Sequence, residues 1–527
     1  MIVKSASPDV TIPDVSITDY VLRHAERLGD KPALIDGPSG RTLTYRQLAD
    51  AVRRAAAGLH RLGFRKGDVL AIYSPNVPEY AVVFHAVALL GGINTTANPL
   101  YTAGELATQL RDSKAQILVT VPTFLDKARA AASQAGIEQV FVFGAAEGAR
   151  SFDELLQAGD QPPAVRIDAR NDIVVLPYSS GTTGLPKGVM LTHRNLVANL
   201  RQCEGMQNFE AFGEDDVTIA VLPFFHIYGM VVIMMLGLAG GGTIVSMPRF
   251  DLMEFLGVAQ KYKATVLPLV PPIVLGLVKH PAVAQFDLST VRLVFSGAAP
   301  LGEDIAKALS TRLGCPVVQG YGMTEASPVT HLSPTRHSPF KPGSAGKVVP
   351  NTEVKIVDVV SGAEMDQGHE GELLIRGPQI MKGYLNRPEE TAACLDGEGW
   401  YHTGDVGYVD QDGFFFIVDR TKELIKYKGM QVAPAELEAL LLTHPAVLDA
   451  AVVRRADEEA GEVPKAFVVL KPDDASKATT GLAIMDWVAG KVAPHKRIRQ
   501  LEFIEQIPKS ASGKILRRVL MDADRAK

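Results

Sequence analysis

Short apolar runs alternate with segments of helical periodicity over the first two thirds of this 527-residue chain. "VLAIYS" (69–74) leads into "EYAVVFHAVALLGG" (79–92). "ATVLPLV" (264–270) leads into "PPIVLGLVKH" (271–280), and "VRLVFSG" (291–297) precedes "EDIAKALSTRLG" (303–314). With "AQILVT" and "EQVFVFG" between them, the rhythm predicts parallel strands covered by helices, an α/β layered fold. After about residue 345 the texture becomes β-rich, in "TEVKIVD", "GELLIRG" and "GFFFIVDR", with glycine and aspartate turns. Beyond Asp419, "APAELEALLLTHPAVLDAAVVR", "KAFVVLK" and "LAIMDWVAGKVA" describe a compact α+β unit. The expected division is therefore 1–418, a large α/β domain with a β-rich subdomain, and 419–527, a small separate domain.

Charge narrows the class of ligand. Lys and Arg number 54 against 59 Asp and Glu, a formal charge of -5. That balance offers no global attraction for nucleic acid or an anionic membrane, so any anion must be held locally. Cys203, Cys315 and Cys394 are scattered without metal-ligand spacing, which argues against a disulfide framework or a zinc site. The most apolar stretch, Val231 to Val245, is short for a membrane span and is expected to be a buried helix and turn. The amino terminus lacks a secretory h-region. The final "RAK" is not a peroxisomal tripeptide, so the expected location is cytoplasmic.

The stretch "YSSGTTGLPKGVMLTH" (178–193) follows an apolar run and precedes a helical one, and it is expected to be a strand-loop-helix junction. Ser179, Ser180, Thr182 and Thr183 supply hydroxyls, and Lys187 supplies a cation. Gly181, Gly184 and Gly188 give the backbone the freedom to wrap a polyphosphate. The pattern is not a Walker loop, because Pro186 precedes the lysine and Gly188 follows it. By itself such a loop is equally well a polar linker.

Five further stretches follow in order: "LPFFHIYG" (222–229), "QGYGMTEASPV" (319–329), "WYHTGDVG" (400–407), "DRTKELIKYKGMQVAPAELE" (419–438) and "PKSASGKILRR" (508–518). Together with the loop they resemble the successive motifs of the adenylate-forming superfamily of acyl-CoA synthetases, beetle luciferases and peptide-synthetase adenylation domains. Through "VPPIVL", "SGAAPLG" and "RGPQIMKGYLNRPE" the likeness is strongest to 4-coumarate (hydroxycinnamate) CoA ligases. Such enzymes join a carboxylic acid to ATP as an acyl-adenylate, release pyrophosphate, and pass the acyl group to coenzyme A.

The resemblance implies roles. Ser179 to Gly184, Lys187 and Thr324 would meet the phosphates, with Glu325 as a hard oxygen ligand for Mg2+. Ala298, Gln319, Gly320 and Tyr321 would surround adenine, and Asp405 and Arg420 would grip the ribose. Lys514 would reach the carboxylate and α-phosphate during adenylation. Lys426 and Gln431 match positions of the catalytic cycle, and Lys422 matches a hinge on which the small domain turns. Arg249, Lys428 and Gly429 would then meet coenzyme A. His226, bland by itself as a core histidine, would gate the path between carboxylate and thiol.

The acyl pocket is expected to include Ile227, Tyr228, Val231, Leu269, Phe295, Gly297, Ala298, Gly320, Gly322, Pro328 and Val329. Its glycines would leave room for a flat ring or an alkyl chain. Plant hydroxycinnamate ligases often carry asparagine and lysine where Val231 and Phe295 stand here, so a phenolic hydroxyl loses polar contacts. The implied activity is ATP-dependent acyl-CoA synthesis from a cinnamate-type acid. Alternatives are a fatty acyl-CoA synthetase, a luciferase-like oxygenase, a peptide-synthetase adenylation domain, and a non-catalytic acyl-adenylate binding module. Acylation of Lys514 would erase a charge that adenylation requires.

Overall fold

The computed structural model describes residues 1–527 except 158, 160, 180–185, 337–340, 429, 472–479, 511–512 and 526–527. Among the described residues the strands form four sheets of eight, nine, five and five strands. In the eight-stranded sheet, Val69–Tyr73 lies between Ile93–Thr96 and Ile117–Thr120, parallel to both. In the nine-stranded sheet, Val266–Leu269, Leu293–Ser296 and Val317–Gly322 run parallel side by side. The alternation therefore yields two α/β layers. Parallel neighbours need crossovers, and the helices that follow these strands supply them.

Helix Tyr45–Arg61 is amphipathic and begins with a capping box between Thr44 and Gln47. Helix Pro78–Leu89, against which it packs, is buried almost all round. The β-rich segments form an antiparallel sheet containing Glu353–Val357, Gly371–Arg376, Tyr401–Val409 and Phe415–Arg420. Its inner residues Val354, Leu373, Ile375 and Phe415 join the main hydrophobic core. From Ile425 onward the chain builds a different core around Val432, Leu437, Val452 and Val468. A small apolar seam of Val406, Leu424 and Ala433 lies where the two meet. No helix among the described residues is long and apolar enough to cross a membrane.

The apolar stretch Val231 to Val245 begins inside a π-helix, Tyr228–Met235, whose residues are all buried. It continues as helix Leu236–Ala239, turns at Gly241 and enters strand Thr243–Ser246. A π-helix widens the turn and is found mostly at functional sites. Here it starts two residues after His226. Gly229 makes this entry possible, because a Cβ there would lie 2.2 Å from the carbonyl oxygen of Pro223. Gly229→Ala is expected to cost about 1–3 kcal/mol by overpacking rigid backbone. Urea unfolding would check this, and an unchanged midpoint would show that the turn yields.

Candidate active site

Strand Ile173–Ser179 is followed not directly by a helix, as expected, but by a second strand, Lys187–Thr192. The two pair antiparallel, and helix His193–Glu204 starts only after Thr192 and Asn195 form its capping box. Six residues, "KGVMLT", were too short to separate from the helix by periodicity. The loop thus joins two strands, and Ser179 and Lys187 are register partners at its mouth. Ser180, Gly181, Thr182, Thr183 and Gly184 lie outside the described residues.

Across this mouth stands Glu325, buried in the 3-10 turn Thr324–Ala326. Its Oε1 accepts hydrogen bonds from Ser179 Oγ at 3.0 Å and from the Tyr384 hydroxyl at 2.8 Å. Lys187 Nζ lies 5.0 Å from the centroid of the Tyr384 ring, a cation–π contact. Among the described residues no group of three or more His, Cys, Asp or Glu is arranged to hold a metal. One carboxylate flanked by hydroxyls fits Mg2+, which keeps waters and is held largely through substrate phosphates.

Asp405 and Arg420 are register partners on neighbouring strands, with Arg420 Nε 3.3 Å from Asp405 Oδ1. The Tyr321 hydroxyl donates to Asp405 Oδ2 at 2.6 Å. Burial holds the Asp405 carboxyl above the usual carboxylate range, while Arg420 and Tyr321 pull the other way. Ala298 has φ +68°, a left-handed conformation that a non-glycine residue adopts at a cost. The Gln319 side-chain amide is engaged at both ends, accepting from Leu301 N–H at 2.7 Å and donating to Leu301 C=O at 3.1 Å. Its side chain thereby shapes the 298–301 loop, with one N–H and one oxygen lone pair of the amide not used in these two bonds.

Lys514 arrives from the other end of the chain on a tight turn. Ser510 N–H donates to its carbonyl, and its own N–H donates to Ser510 Oγ. Gly513, at φ +80°, lies against Val270 and Pro272 of the large unit. Burial, with Arg420 in support, pushes the ammonium down to about 8, opposed by Glu423 and Asp405. His226 Nδ1 accepts from Tyr228 N–H at 3.3 Å, which places the proton of a neutral ring on Nε2. Burial and the nearby Lys514 charge hold this imidazole well below its ordinary pKa.

Several of the acyl candidates touch one another, and the glycines among them do not leave open space. A Cβ on Gly297 would lie 2.9 Å from the Tyr228 ring, and one on Gly320 would lie 2.6 Å from the Phe295 ring. At Gly322 the obstacle is the Pro328 carbonyl oxygen, 2.1 Å away. These glycines accommodate the protein's own rings and backbone. Ile227, Val231, Leu269 and Val329 are fully buried around them, and the Tyr228 hydroxyl donates to Phe295 C=O at 3.1 Å.

The remaining candidates lie elsewhere in this arrangement. Lys426 and Gln431 are exposed cross-strand partners. Lys428 pairs with Glu459 at 2.5 Å, Arg249 is exposed, and Gly429 lies outside the described residues. Among the described residues, none of Arg249, Lys426, Lys428 or Gln431 has a side chain bonded to Glu325, Asp405, Arg420 or Lys514. Lys422 is exposed, and its carbonyl accepts from Arg454 at 3.1 Å.

Residues 21–385 match the family described as AMP-binding enzyme, and residues 436–514 match its C-terminal domain. The chain belongs to the AMP-binding enzymes. It is 46% identical over 527 residues to 4-coumarate--CoA ligase 2 of Petroselinum crispum, covering 99% of this chain and 96% of that one. It is 46% identical over 524 residues to the 4-coumarate--CoA ligase of Pinus taeda, covering 98% and 96%. Among solved structures, the anthranilate CoA ligase AuaEII in complex with anthranoyl-AMP superposes with a TM-score of 0.89 at 28% identity, over 98% of both chains. ATP-bound MatB from Rhodopseudomonas palustris gives 0.87 at 28% identity, over 97% and 99%, whereas apo MatB gives 0.78 over the same shares.

Three side chains of this AMP-binding enzyme were not singled out from sequence: Tyr384, Glu423 and Arg517. Each sits inside a quoted motif, but its partner is distant along the chain, 59 residues away for Tyr384 and Glu325. Tyr384→Phe removes a hydrogen bond to a carboxylate, worth about 1.5 kcal/mol or more. The expected result is a roughly tenfold rise in the Mg·ATP concentration that gives half-maximal AMP release. An unchanged titration would take Tyr384 out of the site.

Proposed function

We propose that this chain is an AMP-forming acid-thiol ligase that activates an aryl propenoic acid of the 4-coumarate or cinnamate type. The observation that supports the reading is Lys514, which comes from the far end of the chain and interacts electrostatically with the buried Asp405–Arg420 pair. Such a cation would suit the α-phosphate of an adenylate. The better superposition on ATP-bound than on apo MatB supports taking this as the adenylation arrangement.

In the first half-reaction a carboxylate oxygen attacks the α-phosphorus of ATP, and the bond to pyrophosphate breaks. Ser179, the 180–184 loop, Lys187 and Thr324 supply donors to the phosphates, and Asp405 with Arg420 holds the ribose. Mg2+ at Glu325 would offset phosphate charge. Tyr321, Ala298 and Gly320 border the adenine on a loop shaped by Gln319. Lys514 balances charge growing between carboxylate and phosphate. In the second half-reaction the thiol sulfur of coenzyme A attacks the acyl carbon and AMP leaves. For that step the unit 419–527 turns at Lys422, withdrawing Lys514 and bringing Lys426, Lys428, Gly429 and Gln431 inward. Arg249 then meets a coenzyme A phosphate, and neutral His226 gives way between carboxylate and thiol.

Lys514→Ala is expected to lower acid-dependent pyrophosphate exchange by about 100- to 1,000-fold. Thioester formation from supplied acyl-adenylate should change little, and acetylation of Lys514 should act alike. Because the ammonium is protonated only below about 8 in the free enzyme, kcat/KM for adenylation should fall as pH rises through that value. Equal loss of both half-reactions in Lys514→Ala would overturn its assignment.

The acid itself is tested by AMP release with cinnamate, 4-coumarate, caffeate, benzoate, hexanoate, octanoate and palmitate. In the described pocket the Tyr228 hydroxyl already donates to Phe295, and Val231 and Phe295 are apolar. A second ring hydroxyl buried without a partner costs about 1–3 kcal/mol, so cinnamate and 4-coumarate should exceed caffeate about fivefold or more. A several-fold preference for caffeate would refute the pocket argument, and a lead for octanoate or palmitate would move the enzyme to fatty acid activation.

A further inference from the structure

Arg517, three residues beyond Lys514, opens helix Arg517–Arg525 and is largely buried, at 12% side-chain exposure. Its guanidinium meets two carboxylates. Nη1 donates to Glu423 Oε2 at 2.7 Å, and Nη2 donates to both oxygens of Glu438 at 2.9 and 2.8 Å. Nε donates to Val452 C=O at 3.2 Å, and Val452 N–H donates to Glu438 in return. Glu438 is fixed within the small unit. Glu423 belongs to the same unit, one residue after the candidate hinge Lys422, and its N–H donates to Arg420 C=O.

Glu423 has other cations within reach. The charges facing Lys514 are Asp405 and Arg420 on the antiparallel sheet, Glu423 on the strap, Arg517 on its own segment, and His226 from the large unit. Released from Arg517, the Glu423 carboxylate would turn to the cations whose field it already shares, Lys514 and Arg420. A salt bridge from Glu423 to Lys514 would tie up the ammonium that adenylation needs.

We propose that Arg517 is a positioning residue that holds Glu423 away from Lys514, so that Lys514 is free to meet the substrate carboxylate and α-phosphate. This rests on the role given to Lys514 above. It predicts that the harm in losing Arg517 comes from a neighbouring anion and is curable by neutralising it.

The test measures both half-reactions in full-length Arg517→Gln, Arg517→Lys, Glu423→Gln and the double variant Arg517→Gln/Glu423→Gln. In Arg517→Gln, acid-dependent pyrophosphate exchange should fall about 10- to 100-fold, while thioester formation from supplied cinnamoyl-adenylate stays within about twofold. The double variant should recover most of the lost exchange, and Arg517→Lys should be intermediate. The alkaline limb of the exchange profile supplies an independent sign. Removing the Glu423 anion lowers the Lys514 pKa and moves the limb to lower pH. Removing Arg517 takes away a cation and frees Glu423, which moves the limb upward.

Equal falls in both half-reactions, or a double variant no better than Arg517→Gln, would overturn the proposal. If Arg517→Gln does not fold, Glu423→Gln decides alone: a limb moved to lower pH supports the arrangement, and an unmoved limb overturns it. Should Lys514→Ala retain wild-type exchange, the assignment of Lys514 falls and this proposal with it. Loss confined to the Arg517 comparisons leaves Lys514 standing.

Discussion

A carboxylate withdrawn from water takes up a proton more readily unless cations and donors hold its charge, and burial raises the Asp405 carboxyl above its ordinary range. Arg420 and Tyr321 oppose that rise. The pairing does more than prepare a hydrogen-bond acceptor. Arg420 ends a strand whose register is locked to Asp405, and its carbonyl accepts the N–H groups of Glu423 and Leu424. Thr421 N–H donates to Gly404 C=O beside it. The strap between the units is therefore anchored at the ion pair, so a rotation beyond it would start from a fixed point next to the proposed ribose contacts.

That anchor explains how one lysine can serve a site built almost entirely by other parts of the chain. The turn carrying Lys514 is closed by its own Ser510 contacts and rests against Val270 and Pro272. Among the described residues it meets the large unit through apolar fit at Gly513. Such a contact can release without unfolding either core, because the main core and the core around Val452 share few residues across the seam at Val406 and Leu424.

Much of this was legible in the sequence, for reasons that differ by element. Parallel strands announced themselves because runs such as "VLAIYS" are apolar on both faces, and both faces are covered. Lys514, Asp405 and Glu325 stood in ordered motifs whose resemblance carried their roles. Glycines misled where they were read as space: a missing Cβ says that something comes close, and at Gly297 and Gly320 that neighbour is Tyr228 or Phe295. Gln319, expected beside adenine, also closes its amide on Leu301, a structural part that the motif did not announce. Tyr384 was invisible because its value lies in a strand pairing that sets it beside Glu325 and under Lys187.

The distribution of charge gives the site its order of events. Without nucleotide, Lys514 is only marginally protonated near pH 8, since burial and Arg420 outweigh the favourable Asp405 and Glu423. A polyphosphate entering beside it adds negative charge within a few ångströms, and a neighbouring anion favours the protonated ammonium. On the role proposed for Lys514, the substrate would thereby charge the residue that is to act on it. Departure of pyrophosphate would remove part of that support and raise the cost of a buried ammonium again. Withdrawal of the Lys514 turn toward solvent, as the proposed rotation requires, would relieve that cost.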